Sequence, residues 1–241
     1  MNFDRLATLS GQQFEQHEFK ASNGVTIPYR VLIPSHLQPG IRYPLVVQLH
    51  GSAAIGVDNR SQLTPFAKAW AAPELRERYQ SYVILPQFPI RSVNYSPMPP
   101  DLSVEPSLVV DSAIELINDF IARNQVDRKR VYAFGFSMGG STTWQLEAKQ
   151  PTLFAAMIPI AGIAPNDALV DLYKDKPILM IHSDADTDNR IDADRRFFET
   201  IKDAGGKRIW FKEYAELNHL LPDDMYPGLW WRDWLFSQKQ R

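Results

Sequence analysis

Short apolar runs alternate with longer stretches of mixed polarity along most of the chain. Residues 43–49 (YPLVVQL), 82–85, 130–136 (RVYAFGF), 156–160, 178–182 (ILMIH) and 208–214 are too short for helices. They are rich in β-branched and aromatic residues and read as strands. Continuous apolar runs of this kind suit strands buried on both faces, as in a parallel sheet. Two earlier extended runs, 14–21 and 26–33, flank Ser22-Asn23-Gly24 and predict an antiparallel hairpin at one edge. Between the strands, helical patterns cover 63–70, 104–123, 141–149, 193–204 and 229–238. In the second, Leu108, Ala113, Ile114, Ile117, Phe120 and Ile121 recur near the helical period, and Gly205-Gly206 closes the fourth. The expected architecture is α/β: an eight-stranded, mostly parallel sheet with helices on both faces.

Two stretches are less regular. Residues 86–106 are dense in proline and follow a strand, which puts them at the sheet end where α/β folds build their sites. Phe88, Tyr95 and Met98 there, together with Trp144, are expected to contribute to a substrate pocket. Trp230, Trp231, Trp234 and Phe236 sit at helical spacing near the C-terminus and read as core packing.

Composition narrows the options. The 241 residues predict one domain over 1–241, and 44% hydrophobic residues suffice for a substantial core. A net charge of -2 offers no footprint for nucleic acid. With no cysteine, disulfides, thiolate chemistry and Cys-ligated zinc are excluded. No apolar run approaches the roughly 20 residues of a membrane span. Residues 1–20 are polar, so a cytoplasmic location is expected, or a periplasmic or secreted one if a leader was removed. Oligomeric state is not readable from the sequence.

The chemistry centres on Gly135-Phe136-Ser137-Met138-Gly139, a G-x-S-x-G sequence between a buried strand and a helix. The sharp turn demands small flanking residues and presents the serine hydroxyl above the sheet, the nucleophile elbow of α/β-hydrolases. A serine needs a base to become nucleophilic. The chain order of that fold is serine, acid, histidine, and of five histidines only His182 and His219 follow Ser137. His182 ends a strand too early to leave an acid before it, so His219 is the expected base. The acid should follow the strand at 178–182, where Asp184, Asp186, Asp188, Asp192 and Asp194 crowd together. Asp186 is preferred, then Asp188, then Asp184. A calcium loop fails on Asn189 at the turn glycine and Arg195 at the bidentate glutamate. The backbone N–H groups of Ser52 and Met138 are the expected oxyanion hole, and His50 is expected to brace its loop. No metal or cofactor is called for.

Residues 44–51 (PLVVQLHG), 56–59 (GVDN), 127–132 (DRKRVY), 135–140 (GFSMGG) and 182–186 (HSDAD) resemble the lid-less bacterial carboxylesterases and predicted peptidases related to the prolyl oligopeptidase catalytic domain. In such proteins the last segment reads His-Gly-x-x-Asp with the final Asp catalytic, which implies Asp186. Ser183 replaces the glycine, and Asn189-Arg190 stands where an apolar residue and proline are usual; these departures keep Asp188 open. The resemblance implies a serine carboxylesterase acting on short-chain or carbohydrate-linked esters, of acetyl or feruloyl type. A serine peptidase and a non-catalytic binding protein are the rivals. The short interval between Ser137 and Asp186 leaves little room for a cap domain, so an open site is expected.

Overall fold

The computed structural model describes Arg5, residues 8–96 and residues 104–240. Met98 lies outside the described residues. The main sheet contains β1 (Glu15–Lys20), β2 (Thr26–Leu32), β3 (Tyr43–Leu49), β4 (Tyr82–Pro86), β7 (Val126–Phe136), β8 (Ala156–Ile160), β9 (Ile178–Ser183) and β10 (Ile209–Tyr214). A separate two-stranded antiparallel sheet pairs β5 (Val93–Tyr95) with β6 (Val104–Pro106). Four longer helices are α1 (Leu108–Arg123), α2 (Met138–Lys149), α3 (Asp192–Asp203) and α4 (Leu229–Ser237).

The eight strands run in the order β1-β2-β4-β3-β7-β8-β9-β10. β2 is antiparallel to both β1 and β4, and all pairs from β4 to β10 are parallel. This is the α/β-hydrolase fold. After β3 the chain moves to one side to form β4, and then to the other to form β7. The switch point therefore lies at the C-terminal ends of β3 and β7, where open α/β sheets bind ligands.

The strands read as buried runs because helices cover both faces. Along β3, Leu45, Val47 and Leu49 pack with Val109, Ile117 and Met138 of α1 and α2. The alternate residue Val46 joins Tyr132 and Phe134 of β7 against Trp70 and Trp231. The period of two thus divides the inner strands between two cores.

Several boundaries differ from the sequence expectation. The helix expected from 104 begins only at Leu108, because Val104–Pro106 pair with Val93–Tyr95. Leu108, expected on the buried face, is exposed at the first turn. The helix expected over 63–70 breaks into short turns, Pro65–Lys68, Ala69–Ala71 and Pro73–Arg78. Pro65 and Pro73 each start a turn at its first position, where a missing N–H costs nothing. Among the C-terminal aromatics Trp231 is fully buried, and Trp230, Trp234 and Phe236 pack around the same core.

Candidate active site

Gly135 ends the buried part of β7, and Met138 opens α2. Ser137 lies between them with φ 59° and ψ −121°, a region that L-residues rarely occupy. Such a conformation costs about 1–3 kcal/mol and persists only where its surroundings impose it. Here the Ser137 N–H donates to the Ile160 carbonyl at 2.8 Å. A Cβ on Gly135 would meet the Gly139 carbonyl carbon at 2.5 Å, and one on Gly139 would strike the Leu49 carbonyl. α2 therefore starts in contact with the end of β3, and its N-terminal dipole favours negative charge beside Ser137.

His219 is carried by the loop after β10. Ser137 Oγ–H donates to His219 Nε2 at 2.8 Å, and His219 Nδ1–H donates to Asp186 Oδ2 at 2.6 Å. The Phe136 ring packs on the imidazole at 4.8 Å between centroids. The Asp186 side chain has no exposed surface, and its Oδ1 accepts the backbone N–H groups of Asp188 at 2.9 Å and Asn189 at 2.8 Å. Two donors on Oδ1 aim Oδ2 at the imidazole, where it accepts the Nδ1–H. That in turn sets the His219 tautomer, with Nδ1 protonated and Nε2 free to accept from Ser137.

The other aspartates take different places. Asp184 Oδ1 accepts the Glu216 N–H at 2.9 Å, tying the acid loop to the histidine loop. Thr187 adds a second tie, with its N–H and hydroxyl both donating to Asn218 Oδ1 at 3.4 Å and 3.1 Å. Asp188 lends only its backbone to Asp186, and its side chain lines the cleft.

Ser52 follows β3 and lines the cleft beside Ser137. The Met138 N–H belongs to the first turn of α2, where helical N–H groups have no partner within the helix. His50 braces this loop: its Nε2 accepts the Phe88 N–H at 2.9 Å, and its Nδ1–H donates to the Gly51 carbonyl at 2.7 Å. Burial pushes this imidazole below its ordinary pKa, consistent with a neutral ring that accepts on one nitrogen.

The Ser137 and His219 side chains open into a cleft of about 910 Å³. Only short helical turns, Asp167–Leu169 and Val170–Tyr173, lie between β8 and β9, and no cap domain is inserted there. Of the aromatic residues expected at the pocket, Tyr95 lines the cleft, and its hydroxyl lies 3.1 Å from Ser141 Oγ. The other two expectations are corrected. Phe88 is fully buried behind the wall, its ring against His50 at 5.2 Å. Trp144 is also fully buried, packed edge-on against Tyr173 and Phe197 on the far side of α2. The loop after β4 and the helix α2 turn these two rings into the core.

Sequence reasoning missed the opposite wall, which includes Gln48, Gln62, Thr64, Phe66, Leu221 and Tyr226. The conspicuous segment at 56–59 was the available signal. Asp58 Oδ1 accepts the N–H groups of Arg60 at 2.7 Å and Ser61 at 2.9 Å, and the Asn59 side chain accepts from Gln62 at 2.7 Å. These residues shape the loop that forms the wall.

Comparison with known proteins places the fold among its relatives. A thermostable esterase of known structure superimposes with a TM-score of 0.85 at 30% identity, over 95% of this chain and 64% of that one. Dipeptidyl peptidase 4 of Porphyromonas gingivalis shares the fold, with a TM-score of 0.67 at 15% identity over 93% of this chain and 35% of its own. NocK of Nocardia uniformis subsp. tsuyamanensis, whose name carries a provisional esterase assignment, is 38% identical over 92 residues, 38% of this chain and 27% of that protein. The chain thus spans less than two thirds of each of these relatives. The sequence model of the dienelactone hydrolase family matches residues 98–221. A match across just over half of the chain, on a sheet with this strand order, makes the protein a member of the dienelactone hydrolase family of α/β-hydrolases.

Proposed function

We propose that the protein hydrolyses carboxylic esters through an acyl-enzyme on Ser137. The observation that carries this reading is the continuous relay from Ser137 Oγ through His219 to Asp186, open to a cleft with no cap inserted between β8 and β9. Ser137 Oγ attacks the ester carbonyl carbon while His219 Nε2 takes its proton, giving a tetrahedral oxyanion. Asp186 holds the imidazole in orientation and stabilises its positive charge. The N–H groups of Ser52 and Met138 receive the oxyanion, and loss of one such donor typically costs about 3 kcal/mol of transition-state stabilisation. Collapse of the intermediate breaks the ester C–O bond, and the His219 proton passes to the leaving alcohol. Water then repeats the sequence, releasing the acid and restoring the Ser137 hydroxyl.

An open cleft favours small soluble esters, or ester groups borne on a larger carrier, over long-chain lipids. Gln48, Ser61 and Thr64 beside Phe66 and Tyr226 give the wall both polar and apolar surface, which suits acetyl or aryl groups on a carbohydrate. The test is hydrolysis of p-nitrophenyl esters from acetate to decanoate, with Ser137→Ala as control and a proline-containing aminoacyl anilide in parallel. Activity highest on short chains and abolished in the variant supports the reading. Preference for decanoate by a wide margin in kcat/KM removes the open-site argument, and faster cleavage of the anilide makes the protein a peptidase.

A further inference from the structure

His182, passed over as the base, heads a second buried couple directly behind the acid. Its Nδ1 lies 2.8 Å from Asp194 Oδ2, and its Nε2 lies 2.8 Å from the Asn189 carbonyl and 3.3 Å from Asp186 Oδ2. The side chains of His182, Asp194 and Asp186 are at most 1% exposed. Asp194 Oδ1 accepts the Ala164 N–H at 2.9 Å, and Asn189 Nδ2 donates to the Ala161 carbonyl at 2.7 Å.

The protons follow from the partners. A carbonyl oxygen only accepts, so His182 Nε2 carries a hydrogen. On the other side, one proton is shared between Nδ1 and Asp194. Burial is the largest influence on Asp194 and raises its carboxyl pKa, while the imidazole and the Ala164 N–H pull it down, so the shared proton lies between the two side chains. Burial opposes a charged imidazole, but the Asp194 hydrogen bond and charge outweigh it and raise the His182 pKa.

We propose that His182 and Asp194 are positioning residues for the acid: Asp194 anchors the His182 ring, whose Nε2–H holds the Asn189 carbonyl and faces Asp186 Oδ2, keeping the acid in register with His219. The proposal rests on Ser137, His219 and Asp186 acting as the catalytic relay. Asp186 sits on a loop, whereas His182 lies near the end of β9 and Asp194 in the first turn of α3. The couple transmits the rigidity of a strand and a helix to that loop. Asn189 is held at three points: its N–H on Asp186, its amide on Ala161 and its carbonyl on His182. A displacement of about 1 Å in such a constellation can cost 10²-fold in rate.

The experiment compares Asp194→Asn and His182→Leu with the wild-type chain on p-nitrophenyl acetate. Fluorophosphonate titration counts competent sites, so kcat is expressed per reactive Ser137, and melting temperature is followed alongside. The expected result is a fall in kcat per site on the order of 10- to 100-fold at a KM within about twofold, with His182→Gln, which keeps an N–H, retaining more activity than His182→Leu. Folded variants that titrate fully and keep kcat within about twofold overturn the proposal. Should the variants fail to fold, the ring 15N–1H spectrum of the wild-type protein decides: a hydrogen-bonded proton on His182 Nε2 at neutral pH supports it, and a bare Nε2 overturns it. Absence of Ser137-dependent turnover in the wild-type chain would instead remove the relay itself, and the proposal with it.

Discussion

Replacing Asp186 by Asn tests the assignment of the acid, because the structure dictates how the new amide must lie. The N–H groups of Asp188 and Asn189 both donate to Oδ1, at 2.9 Å and 2.8 Å, so the amide oxygen is held at that position. The NH₂ group then occupies the place of Oδ2, 2.6 Å from His219 Nδ1, where it can only donate. Nδ1 is forced to accept, the ring proton moves to Nε2, and Ser137 faces a donor instead of a base. The charge that stabilises the imidazolium is lost as well. A wrong tautomer of this kind costs about 10⁴-fold in kcat, or roughly 5.5 kcal/mol. Asp188→Asn leaves both backbone donors in place and should change kcat by less than about threefold. The assay is kcat on p-nitrophenyl acetate per fluorophosphonate-titrated site, with circular dichroism to verify folding. Equal losses in the two variants, or a larger loss at Asp188, would refute the argument.

Three further outcomes follow from buried groups. Glu147 is fully buried in α2 with Lys176 Nζ 2.8 Å away, and burial lifts its pKa from 4.5 to about 7 despite that cation. A raised carboxyl favours the fold below pH 4.5 and loses that contribution as pH climbs through 7, a change of about 3 kcal/mol; urea unfolding at pH 4 and pH 8 should therefore show Glu147→Gln gaining that much on the wild type, and a pH-independent difference sinks the idea. Gly139→Ala places a methyl group against the Leu49 and His50 carbonyls, so esterase activity should collapse with at least about 3 kcal/mol of stability; a variant of normal melting temperature and activity would show that the elbow can relax. Arg232 is fully buried with its guanidinium 4.2 Å from the Trp231 ring centroid and 4.5 Å from that of Trp70, so Arg232→Lys, which keeps the charge but loses the flat stacking surface, should cost about 2 kcal/mol in denaturant unfolding, and an unchanged midpoint would count against stacking.

What the sequence made legible is what backbone sterics and burial impose locally. Strands buried on both faces must be apolar throughout, so β3, β8 and β9 could be placed within a residue. The elbow could be read because Gly135 and Gly139 each face backbone where a side chain would collide. Which way a ring or carboxylate points is a different kind of fact. Asp184, Asp186 and Asp188 are alternate residues of one loop, equivalent by composition. They separate only because that loop folds back to place two of its own N–H groups on Asp186. Phe88 and Trp144 looked like pocket residues because each lies near the right end of the sheet. One residue's difference in the path of the chain decides whether such a ring faces the cleft or the core, and periodicity does not encode it. His182 shows the same limit from the other side. Chain order excludes it as the base, and that exclusion hides its place behind the acid, because the link to Asp194 spans a loop and a turn of helix. Local constraints therefore identify where chemistry is possible, and non-local hydrogen bonds decide which of the eligible side chains are held to perform it.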